Sequence, residues 1–366
     1  MILNEQSVLS ALEKVRYPGK KQNIVELGMV GDLAVDGRKV TFSLTFEKSS
    51  DPFIKSLVKS AESTILAFLG EDIDIKGNIT VKANQSPRPE ADKLLPEVKN
   101  IIAVYSGKGG VGKSTVAVNL AVALAQAGYK TGLLDADIFG PSIPKMLATE
   151  DAHPYMETIG GRQLIVPAQK YGLKMLSIGY FVGKDDALVW RGTMASNALR
   201  QLIADADWGE LDYFIIDMPP GTSDIHLTLV QTLAVTGAVI VTTPQEVALA
   251  DARKGIAMFT CEKINVPVLG LVENMSWFTP AELPDNKYFI FGKGGGEKLS
   301  ESLGIPLLGQ IPIVQSICES CETGVPAALG ETVTGEAFRQ LAQKIVESVE
   351  ERNLKRAATK RVETSR

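Results

Sequence analysis

The stretch "IIAVYSGKGGVGKSTVAVNLAVALAQA", Ile101 to Ala127, decides the fold. Its opening run, Ile101 to Tyr105, is short and apolar, as a buried strand is. Gly107 to Ser114 then matches G-x-x-x-x-G-K-[ST], and apolar residues at helical spacing follow. Strand, glycine-rich loop and helix in this order make a phosphate-binding loop. Glycines let the backbone turn its N–H groups onto phosphate oxygens. The expected nucleotide contacts are therefore Gly107, Lys108, Gly109, Gly110, Val111, Gly112, Lys113, Ser114 and Thr115. Lys113 can reach the terminal phosphates of ATP, Ser114 can ligate Mg²⁺, and the helix N-terminus adds its positive end. Lys108 is a second lysine that a phosphate loop does not need.

Working outward, short apolar runs alternate with helical segments: "KTGLLDAD", "LDYFIID", "GAVIVTTP", "VPVLGLVENMS" and "IPLLGQIP". The spacing predicts an α/β domain with a mostly parallel sheet covered by helices on both faces. Such sheets bind ligands at the carboxyl ends of their strands, and acidic residues fall there. "LLDADIFGPS" offers Asp135 and Asp137, and "FIIDMPPGTSD" offers Asp217. One such aspartate holds Mg²⁺ through water, and a second can position the attacking water.

Ahead of this domain, residues 1–84 read as a small α+β unit, with a hairpin about "VDG" and a helix in "DPFIKSLVKSAESTILAFL". Residues 85–97 are proline-rich and polar and read as a linker. The P-loop domain is expected over 98–352, with a last helix from about Gly335 to Glu351 that docks through Phe338, Leu341, Ile345 and Val349. A flexible basic tail follows over 353–366.

Composition excludes several classes. The 366 residues are 45% hydrophobic and 22% charged, enough for a sizeable core. A net charge of −5 argues against nucleic acid as a partner. No apolar run approaches the roughly 18 residues of a membrane span, and the opening "MILNEQSVLSALEKV" lacks a signal-peptide layout. The expectation is a cytoplasmic protein with no membrane partner. Two histidines, His153 and His226, leave little for a histidine metal site, and three cysteines do not make a disulfide framework.

"GKGGVGKST" resembles the deviant phosphate loop of MinD/ParA-type ATPases. That resemblance implies that Lys108 reaches across a nucleotide-sandwich homodimer to the partner's phosphates, a cation supplied in trans. "GLLDADIFGPSIPKML", "DYFIIDMPPGTSDIHLTL", "VTTPQEVALADARKG", "GLVENMS" and "FGKGGGEKL" narrow it: the chain resembles the Mrp/ApbC iron–sulfur cluster carrier ATPases over about residues 95–350. The first unit resembles the iron–sulfur assembly domain fused ahead of them. The resemblance implies Asp137 as the hydrolytic aspartate, Asp217 as the switch aspartate, Asn274 as a reader of adenine, and a [4Fe–4S] cluster carried between subunits to client apoproteins.

The chain departs from that family where its cluster-binding CxxC is expected. "ENMSWFTPAELPDNKYFIFGKGGG" holds no cysteine, whereas "SICESCE" places Cys318 and Cys321 about forty residues on. Thiolates at i and i+3 can share a cluster edge. Burial, incidental thiols or a redox pair are the other readings of C-E-S-C. Cys261, in a helical run, reads as a core residue. Trp277 and Phe278 fall in the loop that lacks the cysteines, where they would contact a partner subunit or a client. In the first unit Asp32 reads as a turn residue, with a functional role as the other reading, and Ser49, Ser50 and Asp51 stand at a bend where some relatives carry a cysteine. Two further functions stay open: a MinD/ParA-like dimerisation switch, and a scaffold that has lost cluster binding.

Overall fold

The computed structural model describes residues 3–18, 22–46, 53–83, 94–182, 192–280, 282–283, 286–314, 317, 322–359 and 361. The chain divides into two compact units, Met1–Ala91 and Asp92–Arg366.

In the first unit, α1 (Glu5–Leu12) is capped by Asn4, whose side chain accepts from the Ser7 N–H. β1 (Val30–Asp36) and β2 (Lys39–Phe46) form the expected hairpin, and α2 (Ile54–Leu69) returns the chain so that β3 (Ile79–Ala83) pairs parallel to β2. Alternation in β2 sends Val40, Phe42, Leu44 and Phe46 into a core with Leu57, Ala61 and Ile65 of α2. Asp32 is not a turn residue. It sits inside β1 where the register to β2 shifts, in the left-handed region at φ 48°. Its carboxylate accepts from Ser43 Oγ at 2.6 Å and pairs with Lys82, which offsets the strain of that backbone. Ser49, Ser50 and Asp51 lie outside the described residues.

The second unit begins with β4 (Val98–Tyr105), α3 (Lys113–Gln126), β5 (Thr131–Asp135) and a single turn, α4 (Ile143–Met146). Four short strands follow that the sequence reading missed: β6 (Tyr155–Ile159), β7 (Arg162–Val166), β8 (Ala168–Lys170) and β9 (Leu173–Ser177). β6 and β7 are largely exposed and form only a surface hairpin, β8 is three residues on the edge, and β9, though buried, is only five residues long. Then come α5 (Gly192–Ala204), β10 (Leu211–Asp217), α6 (Asp224–Thr232), β11 (Gly237–Thr242), α7 (Glu246–Thr260), β12 (Val268–Phe278), α8 (Gly295–Leu303), β13 (Leu307–Ile313) and α9 (Val333–Lys355). The last helix runs three residues into the stretch read as tail.

The sheet has the order β13-β12-β11-β4-β10-β5-β9-β8. Its pairs are parallel except for β8, antiparallel on the edge. One face carries α3, α4 and α9, and the other carries α5, α6, α7 and α8. Both faces are therefore covered, which is why Ile101–Tyr105 of β4, Tyr213–Ile216 of β10 and Gly237–Val241 of β11 read as apolar runs. The chain leaves β4 through α3 for β5, passing over β10, and leaves β10 through α6 for β11, passing over β4. The two crossovers depart in opposite directions, so a crevice opens at the carboxyl ends of β4 and β10.

Two further expectations are corrected here. Cys261 is exposed, not core: it lies at the end of α7, where its N–H closes the last turn on Ala257 O and its backbone turns extended. Trp277 and Phe278 are not in a loop. They extend β12, and Phe278 exchanges both backbone hydrogen bonds with Tyr288 at 2.8 Å, as suits aromatic residues on a half-buried pleat. No helix among the described residues is long and apolar enough to cross a membrane.

Candidate functional site

The phosphate loop joins β4 to α3 at that crevice, and close packing explains two of its glycines. A Cβ on Gly107 would sit 2.3 Å from the Asp251 carbonyl oxygen on α7. Gly112 is left-handed at φ 80°, and a Cβ there would lie 2.2 Å from Asn274 Nδ2. Asn274, buried in β12, donates through that amide to the Val111 carbonyl at 2.8 Å. It thus supports the loop from beneath. Gly112 is the N-cap of α3 and no side chain caps the helix, so its first N–H groups are left to a ligand.

Strand register assembles the acidic residues. Asp217 ends β10 opposite Val104 of β4 on one side and Asp135 of β5 on the other, and Asp135 stands opposite Ser177 of β9. Parallel partners share a face, so both carboxylates meet the start of α3. Lys113 is buried there, with Nζ 2.5 Å from Asp217 Oδ1 and 3.2 Å from Ser114 Oγ. Asp217 Oδ2 is buried with no hydrogen-bond partner. Burial pushes the Asp217 carboxyl above its ordinary range, with Lys113 opposing.

Asp135 and Asp137 occupy different environments. Asp135 accepts from Ser177 Oγ at 3.0 Å, the Asp137 N–H at 3.2 Å and the Ile143 N–H at 3.3 Å, so it pins the loop that follows β5. Burial and the nearby Asp217 push its carboxyl up to about 7. Asp137 is half-buried. Partial burial raises its carboxyl too, while Lys113 and the Gly140 and Phe139 N–H groups oppose. It is the more accessible of the two.

Lys108 is exposed; its carbonyl accepts from Ser106 Oγ at 3.0 Å, and nothing among the described residues bonds its ammonium. The loop after Asp217 is latched by His226, which sequence reasoning did not single out. His226 Nδ1 accepts from the Ser223 N–H at 3.0 Å, so Nε2 carries the proton and donates to Pro219 O at 2.9 Å. Burial lowers its pKa, keeping it neutral. His226 takes the place that Glu or Gln fills in the usual capping box, so the sequence carries no standard signal for it.

The arrangement fits a nucleotide with Mg²⁺. The free helix N-terminus and Lys113 suit phosphates, and Ser114 with the unpartnered Asp217 Oδ2 supplies the hard oxygens Mg²⁺ takes. For a cluster the described residues offer no group of three or more potential metal ligands. Cys318 and Cys321 lie outside the described residues.

Comparison with known proteins agrees with this geometry. Residues 97–347 match the family described as NUBPL iron-transfer P-loop NTPase, and residues 5–76 match the family described as iron-sulfur cluster assembly protein. The iron-sulfur cluster carrier protein of Escherichia coli is 53% identical over 343 residues, 92% of this chain and 90% of that one. The protein of that name from Synechocystis is 42% identical over 351 residues, 95% of this chain and 98% of its own. A nucleotide-binding protein from Archaeoglobus fulgidus, solved in complex with ADP, superposes with a TM-score of 0.55 at 36% identity, over 64% of this chain and 91% of that one.

Proposed function

The chain belongs to the iron-transfer P-loop NTPase family, and on that premise we propose that it is an ATP-hydrolysing carrier that binds iron–sulfur clusters and passes them to apoproteins. The observation that carries the ATPase half is the buried Lys113–Asp217 pair at the mouth of the phosphate loop. A buried ion pair of this kind stores a cation and a carboxylate in one place. Phosphates arriving at the loop draw Lys113 to themselves, which leaves Asp217 to serve Mg²⁺ together with Ser114. When bound, Mg²⁺ neutralises charge on the terminal phosphate oxygens. Asp137, reachable by water, orients the nucleophile. Asp135, already holding three hydrogen bonds, positions the loop that carries it.

Lys108 serves a second copy of the chain. Its exposure on the loop supports a cation that completes a partner's phosphate site, so that ATP binding and homodimerisation become one event. The carrier half rests on the relatives that bear that name. The thiolates available to a [4Fe–4S] cluster in this chain are Cys318 and Cys321, one pair from each subunit making four ligands. Hydrolysis is coupled to transfer. The test is to load the protein anaerobically with iron and sulfide, add an apo-ferredoxin, and follow its visible spectrum with and without ATP and Mg²⁺. Transfer that ATP changes in the unaltered chain but not in Lys113→Ala supports the proposal. Transfer indifferent to ATP in both would sink the coupling.

A further inference from the structure

Residues 322–330 cross the phosphate-loop helix in a way the proposed hydrolysis does not yet use. The chain leaves β13, at one end of the sheet order, and by Gly324 has reached the β8–β9 turn near the other end. By Thr332 it is back, starting α9 against α3 and β13. This strap is tied at two points. Tyr171, in the β8–β9 turn at φ 53°, donates through its hydroxyl to Gly324 O at 2.7 Å. Asn119, buried in α3, accepts from the Ala328 N–H at 2.9 Å and donates to Thr115 O at 2.9 Å, in the first turn of the phosphate-loop helix.

At the Tyr171 end the strap packs on Ala148, just past α4, the helix that closes the segment carrying Asp137. Gly324 is left-handed at φ 71°, and a Cβ on it would lie 2.2 Å from Ala148 Cβ. Ala148 itself is left-handed at φ 45° and follows α4, the end of the segment that begins at Asp135. Lys170, beside Tyr171, donates to the Leu147 and Ala148 carbonyls at 2.7 and 3.2 Å. A path of contacts and chain links thus runs from Thr115 through Asn119, Ala328, Gly324 and Ala148, and through α4, whose Ile143 N–H bonds Asp135, to the segment that carries Asp137. It joins the two halves of the site by a route that does not pass through a nucleotide.

We propose that Tyr171 and Asn119 are positioning residues for hydrolysis: they clamp the strap across α3 so that the far end of the Asp137 loop is fixed relative to the phosphate loop. The inference rests on the ATPase reading given above. Its consequence is a selective effect on chemistry. Asp137 acts on the attacking water, so a loosened loop lowers turnover, while phosphate affinity, set by Lys113 and the loop backbone, stays.

The test is steady-state ATP hydrolysis by the full chain and by Tyr171→Phe, Gly324→Ala and Asn119→Ala. Tyr171→Phe removes a single oxygen and keeps the ring; Gly324→Ala forces the strap off Ala148 without touching either nucleotide element. We expect kcat to fall roughly tenfold with the KM for ATP within about twofold, because a small misplacement of a catalytic group is enough for that. In an Asp137→Ala background, Tyr171→Phe should lower the residual rate no further. Unchanged kcat in both Tyr171→Phe and Gly324→Ala overturns the proposal, as does a loss seen in KM alone or a full additional loss without Asp137. An unaltered chain that does not hydrolyse ATP overturns the ATPase reading itself, and the clamp with it.

Discussion

Replacing Lys113 by methionine keeps the volume of the side chain and removes its charge. Asp217 then stays fully buried with neither oxygen paired to a cation. Breaking a buried pair from one side costs about 3–5 kcal/mol. The structure sets a ceiling on that loss, because the carboxyl can take up a proton instead. At pH 7, protonating a group whose ordinary pKa is 3.8 costs about 4 kcal/mol, at 1.36 kcal/mol per pH unit. At pH 5 the same step costs only about 1.6 kcal/mol. Lys113→Met should therefore be destabilised by up to about 4 kcal/mol at pH 7 and by less than half of that at pH 5. The sign follows from the raised folded pKa of the variant: its penalty is absent below the unfolded value and grows as pH rises. Adding Asp217→Asn removes the charge and should restore most of the loss, giving a coupling of roughly 2–3 kcal/mol in the double-mutant cycle. Urea denaturation followed by tryptophan fluorescence reads this cleanly, since Trp190, Trp208 and Trp277 all lie in the second unit. Equal midpoints for Lys113→Met and wild type at pH 7, or a double variant no better than the single one, would refute the pair as drawn.

Other outcomes follow from the same geometry. Asp137→Ala should keep ATP binding by calorimetry and lose hydrolysis by about 100-fold or more; persistent turnover would move that role to Asp135. Lys108→Ala should leave monomer affinity for ATP nearly unchanged and weaken ATP-dependent dimerisation; an undiminished dimer in sedimentation with a slowly hydrolysed analogue would contradict a role in trans. His226, buried and neutral, holds stability that is fully present above its ordinary pKa of 6.5 and is lost as pH falls below it, because only the unfolded chain takes up the proton. His226→Asn should flatten that acid slope in thermal midpoints between pH 7 and 5, and an unchanged slope would place the proton uptake elsewhere.

The sequence carries the site where chemistry is written in local spacing, and much less where folding decides it. Strand, glycines, Lys113, Ser114 and helix are contiguous, so the phosphate loop was legible without any tertiary information. Asp135 and Asp137 were both visible, but their difference was not: only the register of β5 against β9 brings Ser177 to Asp135 and buries it. Asn274 reads from the family resemblance as a contact for adenine; its support of the loop through Val111 comes only from the placement of β12. Cys261 reads as core from its helical run, yet the helix ends there and exposes it. β6, β7 and β8 are missing from the sequence reading because short strands on a surface or an edge bury too little to show a clean period, whereas β9 is buried but only five residues long. Asn119, Tyr171 and Gly324 carry no motif at all; their meaning comes from contacts that span 209 and 153 residues of sequence.

The carrier reading is tested most directly by anaerobic reconstitution with iron and sulfide, counting both per dimer and recording the visible spectrum. Cys261→Ser and the pair Cys318→Ser/Cys321→Ser are compared with the unaltered chain. The account predicts four irons per dimer in the unaltered chain and in Cys261→Ser, and none held by the double variant. A cluster that survives in the double variant, or one that never forms in the unaltered chain, would contradict it.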